Sequence, residues 1–234
     1  MAEPPPPSAP KVRAALSSLR AELSQQDRWR TALVMAFYTG DLDRATRVVR
    51  DAARDVGPVT VLDEVLAPAM HDIGALWERN EITVADEHLA TFVLHRLLAE
   101  VSSTLVVAAP ASRDTVLLAT PSPERHTAGL LMANDVLQGA GYATVCLGPG
   151  VPESALVAAL DRHRPALVVL SATMPFAAEL GETVDSVFEV LPPAQVIIGG
   201  AAAGILPSRA GVHLEHGVAH LLETAERALE RRSS

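Results

Sequence analysis

The chain has 234 residues, of which 49% are hydrophobic and 20% charged, so it has enough apolar side chains for one large or two small domains. This composition excludes wholesale disorder. The net charge is −9, and the one dense basic cluster is interspersed with glutamates, so we expect no direct DNA binding. The single cysteine excludes a disulfide framework and a thiolate zinc site.

The start of the chain has no targeting pattern. Residues 1–10 are rich in proline and lack the charged-then-apolar order of a signal peptide. No apolar run reaches the roughly 18 residues that cross a membrane. We therefore expect a cytoplasmic protein without a membrane partner.

The first half of the sequence has helical periodicity. Turn-forming pairs divide it into four helices: Gly40-Asp41, Gly57-Pro58 and Asn80-Glu81. Thr83 and Asp86 have the spacing of a capping box, which predicts a long last helix that ends near Val106. We predict a four-helix-bundle cap over residues 24–107, after a proline-rich tail and a lead-in helix in residues 1–23.

The pattern changes after a linker at residues 108–112. Five short apolar runs, most of them rich in β-branched residues, then alternate with helical stretches: Thr115–Ala119, Thr144–Leu147, Leu167–Leu170, Val196–Ile198 and Val212–Leu214. Such alternation predicts a parallel sheet that is covered by helices on both faces. We predict a flavodoxin-like, doubly wound α/β domain over residues 113–234, with its ligand at the carboxyl ends of the strands.

The loop after the first predicted strand contains a histidine motif. Its prolines hold the loop extended, so that His126 projects where a ligand should bind. Glu124 is placed to accept one imidazole N–H and so to fix the tautomer and basicity of the ring. Gly129 allows a close approach of the backbone. Taken alone, the motif is also compatible with an ordinary loop histidine that binds no ligand.

Two further strand ends contain small residues. The third strand ends in Ser171, with Thr173 two residues later, and the fourth ends in Gly199-Gly200. Hydroxyl groups beside glycines predict a narrow slot with a polar rim that accommodates a long ligand tail. No G-x-G-x-x-G follows the first strand and no P-loop is present, so dinucleotide and P-loop sites are excluded.

Together, E-x-H-x-x-G, S-x-T and G-G resemble the motifs of the cobalamin-binding α/β domain. The resemblance implies that His126 is the lower ligand of cobalt. It also implies that the displaced dimethylbenzimidazole tail lies in the slot, whose residues then bind the cofactor: Ser171, Thr173, Gly199 and Gly200. Most members have aspartate at the first motif position, and Glu124 is similar to the variant of light-sensing, CarH-type regulators.

The helical half resembles the cap of the same regulators. Trp77 is followed after nine residues by Glu87-His88, which matches the cap signature. The resemblance implies that these three residues contact the adenosyl group on the upper face of adenosylcobalamin. The alternative for this segment alone is a core tryptophan and an exposed helix start. The resemblance to these regulators covers about residues 24–230.

The chain departs from those regulators in two ways. They have an N-terminal helix-turn-helix domain, whereas only about 25 residues precede the cap here, so DNA binding is not carried over. Glu78 follows the cap tryptophan, where the well-known photoreceptor has a histidine that ligates cobalt after light. The resemblance therefore does not imply that the residue after the tryptophan ligates cobalt as a second histidine after light. His88 and His71 remain as candidates for that second ligand.

The resemblance implies a light sensor that is not an enzyme. Light would break the Co–C bond, and the cap would change position together with the homo-oligomeric state or the binding of a protein partner. Photocobilins share this architecture and also bind biliverdin. Cys146 is predicted to be buried, so a bilin here would be non-covalent, against helices that carry His71, His88 and His95. We predict a core or lining role for His95.

Two other functions stay open. A corrinoid methyl carrier of a methyltransferase system has the same two-domain architecture and the same lower histidine. A light-independent, cobalamin-responsive antirepressor also shares the His126 prediction. Photochemistry and the preferred upper ligand distinguish these alternatives from the light sensor.

Overall fold

The computed structural model describes residues 24–105, 114–192 and 195–232. Its first part is helical, with five α-helices and one π-helical turn: α1 Gln25–Thr39, α2 Leu42–Val56, α3 Pro58–Val61, the π turn Leu62–Leu66, α4 Ala67–Glu78 and α5 Val84–Leu105. The third predicted helix thus runs continuously through α3, the π turn and α4. The predicted tail and lead-in helix, and the linker at 108–112, lie outside the described residues. None of the described helices is long and apolar enough to cross a membrane.

The helix ends follow the local sequence signals. Gly40 has a left-handed φ of 66°, and the carboxylate of Asp41 accepts the N–H of Arg44 at 2.9 Å, which starts α2. Thr83 and Asp86 form the predicted capping box, because each side chain accepts the backbone N–H of the other residue. These contacts satisfy N–H groups that the first helical turns leave unpaired.

The second part is an α/β fold. Strands and α-helices alternate along the chain except between β4 and β5, where a short 3-10 helix lies: β1 Thr115–Ala119, α6 Ala128–Gly139, β2 Ala143–Cys146, α7 Glu153–His163, β3 Leu167–Ser171, α8 Ala177–Val190, β4 Val196–Gly199, the 3-10 helix Ala203–Ile205, β5 Val212–Glu215 and α9 Leu221–Arg232. Within the described residues, the strands form a five-stranded parallel sheet in the order β2-β1-β3-β4-β5. The flavodoxin-like order is therefore confirmed. The switch point lies between β1 and β3, where ligands bind in such sheets.

Two hydrophobic cores cover the sheet. One combines the helical part with α6, α9 and one face of the sheet, and it includes Leu33, Leu94 and Leu130. The other lies on the opposite face, under α7 and α8. Because the first core is shared, the helical part packs on the same side of the sheet as α6 and α9. The carboxyl ends of the strands lie together at one edge, which positions the loops described below.

One prediction about burial was wrong. Cys146 is exposed at the end of β2, whereas the sequence predicted a buried thiol. The reason is that β2 is an edge strand, and an apolar run does not reveal whether its strand is central or at the edge. The reason drawn from the sequence for a non-covalent bilin, a buried thiol, therefore does not hold.

Candidate functional site

A buried carboxylate joins the loops that follow β1 and β3. Oε1 of Glu124 accepts the backbone N–H groups of Arg125 and His126 at 2.8 and 2.9 Å and lies 2.6 Å from Nδ1 of His126. Oε2 accepts the backbone N–H groups of Thr173 and Met174 at 2.8 and 2.7 Å. The Glu124–His126 pair that the sequence predicted is thus formed, and it is anchored to the neighbouring strand's loop.

The surroundings of Glu124 favour its ionised form. Glu124 is 1% exposed, and burial alone raises the pKa of its carboxyl group. The hydrogen bonds from the backbone of His126, Met174 and Thr173 and from the imidazole outweigh burial, so the pKa lies below its usual value. An ionised carboxylate only accepts hydrogen bonds, so Nδ1 carries the proton in this contact. Nε2 is then the nitrogen available to a metal, on a side chain that is 58% exposed.

Thr120 holds the histidine loop in place, and the sequence analysis did not single it out. Its hydroxyl donates to the carbonyl of Glu124 at 2.9 Å and accepts the N–H of Gly150 at 2.8 Å. Thr120 is fully buried, so both bonds are shielded from water. The one feature of the sequence that could have indicated this role is the position of Thr120 directly after an apolar strand. The sequence gives no comparable signal for the N–H groups of Thr173 and Met174, because every residue except proline has a backbone N–H group.

The small residues at the strand ends lie close together. A Cβ placed on Gly129 would be 3.3 Å from Oγ of Ser171, and Ser171 pairs with Gly199 across β3 and β4. Gly200 has a φ of 99°, and a Cβ there would be 2.5 Å from the carbonyl oxygen of Ala172. A side chain at Gly200 is therefore excluded by both backbone conformation and contact. The edge of the sheet is free of side-chain bulk beside Ser171, as a slot requires.

Two of the three cap residues, Trp77 and His88, are exposed, whereas Glu87 is partly buried. Trp77 is 45% exposed, so it is not a core tryptophan. Glu87 accepts the hydroxyl of Thr91 at 2.7 Å and lies 2.6 Å from Nδ1 of His88, which resembles the Glu124–His126 arrangement. The side chain of His88 is 75% exposed. Phe92, one turn further along α5, is 60% exposed, so this helix presents an apolar and imidazole surface that a ligand can cover.

His95 links the cap to the histidine loop. Its Nε2 lies 3.2 Å from the hydroxyl of Thr127, the residue after His126. His95 is exposed, so of the predicted core or lining role the core role was wrong, because this turn of α5 packs through Val93, Leu94 and Leu97 instead. The lining role stays a prediction. His71 has no described contact with these residues. The structure therefore brings α5 to the β1 loop through His95.

Comparisons with known proteins match both parts of the chain. Two family models, each described as a B12 binding domain, match residues 29–101 and 114–231. The chain is 34% identical over 181 residues to the HTH-type transcriptional repressor CarH of Myxococcus xanthus, covering 76% of this chain and 59% of that protein. It is 31% identical over 162 residues to CarA of the same organism, covering 69% and 54%. The chain thus spans between half and two thirds of these relatives.

A solved structure has the same fold. The monomethylamine corrinoid protein of Methanosarcina barkeri superposes with a TM-score of 0.67 and covers 85% of this chain and 96% of that one. The two sequences are 17% identical. At that identity the likeness concerns the fold, in which a helical part precedes the α/β sheet.

Proposed function

This chain belongs to the B12-binding family, and we propose that it is an adenosylcobalamin-dependent light sensor that regulates another protein rather than catalysing a reaction. The observation that carries cobalamin binding is the imidazole of His126, which Glu124 holds through Nδ1. The one that favours the light sensor is the exposed Trp77 of the cap signature. Regulation is supported by the two curated relatives, both of which are named as transcriptional repressors. We take residues 24–107 as the cap and 113–234 as the cobalamin-binding domain.

The residues at the sheet edge fit a cobalt corrin. A cobalt corrin would need an oriented nitrogen donor from the protein, and Nε2 of His126 would be that donor. The contact of Nδ1 with the Glu124 carboxylate orients the ring and fixes its tautomer. The slot residues add space for a nucleotide tail, which Gly200 in particular keeps open. We propose that they bind the tail: Gly129, Ser171, Thr173, Gly199 and Gly200.

The cap residues bind the upper side of the cofactor in this proposal. When bound, adenosylcobalamin supplies a cobalt–carbon bond that visible light cleaves. Trp77 contacts the adenosyl group through its exposed ring, while Glu87 and His88 offer polar contacts. Loss of the adenosyl group would remove the contacts of these three side chains, and with them the free energy that favours one position of the cap. The change is read out as a different homo-oligomeric state or as altered binding of a protein partner.

The same cap surface is a candidate site for a second chromophore. Phe92 and Trp77 offer apolar area, and the exposed imidazoles of His88 and His95 offer donors for propionate groups. Biliverdin has both kinds of group, and we propose that it binds here without a covalent bond, because the single cysteine, Cys146, lies on β2 and not on the cap. Titration of the cobalamin-loaded protein with biliverdin tests this, since binding adds a far-red absorption band.

Absorption spectra and gel filtration, in the dark and after visible light, test the light-sensor proposal. The protein is loaded with adenosylcobalamin, and a parallel sample with hydroxocobalamin, which has no cobalt–carbon bond, serves as the control. We expect light to convert the spectrum and to change the elution volume of the adenosyl sample. Binding of cobalamin without a light-dependent change in size or in partner binding would contradict the proposal. That result would favour the corrinoid methyl carrier or the light-independent antirepressor instead.

A further inference from the structure

The helical part and the α/β part are joined by a carboxylate contact at the end of β5. Oδ1 of Asp63 accepts the backbone N–H of Val218 at 2.6 Å, across 155 residues of sequence. Val218 is 7% exposed and belongs to the core that the helical part shares with the sheet. A backbone N–H in such surroundings is costly to leave without an acceptor, so Val218 depends on Asp63. The contact is therefore a fixed point between the two parts.

Gly217 makes this contact possible. A Cβ placed on Gly217 would overlap Oδ1 of Asp63 and lie 2.9 Å from its Cγ. The carboxylate thus packs directly against the backbone of Gly217. The φ of Gly217 is not positive, so an alanine is compatible with the backbone there, and the close approach of Asp63 is what requires glycine. We call Asp63, Gly217 and Val218 the Asp63 junction.

The π turn Leu62–Leu66 presents Asp63 to the sheet. The N–H of Ala67 bonds to the carbonyl of Leu62, five residues back, so the turn is wider than an α-helical one. Leu62, Val65 and Leu66 remain buried in the bundle, while Asp63 is partly exposed and reaches the loop after β5. π turns are frequent at functional sites.

The junction lies at the same edge of the sheet as His126 but on other strands. Asp63 meets the loop after β5, whereas His95 meets the loop after β1, and β3 and β4 separate these strands. Together with the shared core, two separated polar contacts specify the orientation of the cap more closely than either contact alone. The Asp63 contact ends on a backbone N–H in the shared core, and the His95 contact joins an exposed ring to a hydroxyl.

We propose that Asp63 is a positioning residue, which with Gly217 and Val218 fixes the orientation of the cap over the carboxyl edge of the sheet and so sets the preference for an adenosyl upper ligand. This rests on the proposed function of the cap. Asp63 is neither among the proposed cofactor contacts nor in the His126 loop. It acts through Trp77, Glu87 and His88, whose positions depend on the cap's orientation. His126 is held by Glu124, which is bound by the loop after β3, so none of these contacts involves Asp63.

The test compares affinities for adenosylcobalamin and hydroxocobalamin, which share the lower face and differ above the corrin. We expect Asp63→Ala to lower the adenosyl preference about fivefold or more and to leave the His126-dependent spectrum unchanged. Asp63→Asn keeps an acceptor oxygen for Val218 and should retain the preference. Asp72→Ala is the matched control, because it breaks the Arg30–Asp72 ion pair within the bundle without touching the sheet.

A double-mutant cycle separates the junction from general destabilisation. Gly217→Ala should lower the adenosyl preference as Asp63→Ala does, because the new Cβ displaces the carboxylate. In the Asp63→Ala background the Cβ has room, so Gly217→Ala should add no further loss. Hydrogen exchange at the Val218 amide should accelerate in either single variant and be no faster in the double variant.

The outcomes distinguish this inference from the proposed function. If the wild-type protein has no preference for adenosylcobalamin, the proposed function is wrong, and exchange at Val218 still tests the junction. If Asp63→Ala accelerates exchange at Val218 but leaves a wild-type preference intact, the positioning role is wrong. Additive effects of Asp63→Ala and Gly217→Ala would overturn the junction itself.

Discussion

Oε1 of Glu124 lies 2.6 Å from Nδ1 of His126, while Oε2 of the same carboxylate is bound by two N–H groups of the loop after β3. The imidazole is therefore oriented from both strands that flank the switch point of the sheet. Because the carboxylate is buried and ionised, it fixes the ring and its tautomer together. This relationship is the basis of the proposed lower face.

We expect His126→Ala to remove the imidazole-dependent absorption spectrum of bound cobalamin. The remaining side chains at the sheet edge include no equivalent imidazole in contact with Glu124, so affinity should fall at least tenfold. His163→Ala, at the exposed end of α7, is the matched control and should bind as the wild type does. A His126→Ala variant with an unchanged spectrum would remove His126 from the lower face.

We expect Glu124→Gln to weaken cobalamin binding by about 10- to 100-fold, the range for outer-shell partners of ligating histidines. The glutamine side chain has the same size but no charge. Its NH2 group would also face backbone N–H groups that the carboxylate of Glu124 accepts, and two donors cannot bond to each other. Isothermal titration measures the loss, with Glu179→Gln on the exposed start of α8 as the control. Equal affinities for the two variants would contradict the role of Glu124.

The Glu124 carboxyl group should also stabilise the protein in a pH-dependent way. Its pKa is lower in the folded state, so the stabilisation is complete above the usual glutamate pKa of about 4.3 and is lost as the pH falls through the lowered value. Thermal unfolding of the cofactor-free protein at several pH values measures this. Glu124→Gln should reduce the fall of Tm with falling pH on the acid side. An unchanged slope of Tm against pH would contradict the prediction.

Asp135 on α6 should have the opposite effect. It is 9% exposed, and burial raises the pKa of its carboxyl group, while hydrogen bonds from Asn134 and Ser102 oppose this only in part. A raised folded-state pKa means that protonation favours folding, so this group's contribution to stability falls as the pH rises through that value. We expect Asp135→Asn to raise Tm at neutral pH, unlike Asp161→Asn on the exposed face of α7. A lower Tm for Asp135→Asn would show that the charge is needed.

We expect Gly200→Ala to weaken both folding and cobalamin binding. The new Cβ would lie 2.5 Å from the carbonyl oxygen of Ala172, at a φ of 99° that costs a non-glycine residue about 1–3 kcal/mol. Gly74→Ala in α4 is the control, because no atom lies within 4 Å of its Cβ position and alanine favours helices. Wild-type affinity in the Gly200 variant would show that the tail does not use this slot.

We expect Trp77→Ala to reduce the preference for adenosyl- over methylcobalamin, because the exposed ring is the largest apolar surface that the cap signature offers. Competition binding measures the ratio of the two affinities. Met35→Ala on α1 is the control, since Met35 is similarly exposed at 47% and lies outside the cap signature. An unchanged ratio in the Trp77 variant would remove this residue from the upper face.

The local and periodic features of the fold could be predicted from the sequence. Thr83 and Asp86 mark a helix start through a fixed spacing, and the apolar runs around Val116 and Val168 mark buried strands. The pair of Glu124 and His126 could be predicted for the same reason, because its members are two residues apart.

Contacts between distant segments could not be predicted. The N–H groups that anchor Glu124 follow β3, 49 and 50 residues away, and the residue type does not mark them. Asp63 is an ordinary helical carboxylate in the sequence, and only the shared core brings it to Val218. Cys146 was assigned to the interior because an apolar run does not report which strand lies at the edge.

The most direct test of the central claim is the electron paramagnetic resonance spectrum of the protein loaded with cob(II)alamin, with and without 15N-labelled histidine. If Nε2 of His126 binds cobalt, one axial nitrogen splits each cobalt line into a triplet, which 15N-histidine converts into a doublet. The same labelling in His126→Ala should have no effect. A triplet that persists in the 15N-labelled wild-type protein would show that the cofactor's own base binds cobalt, and it would contradict the account.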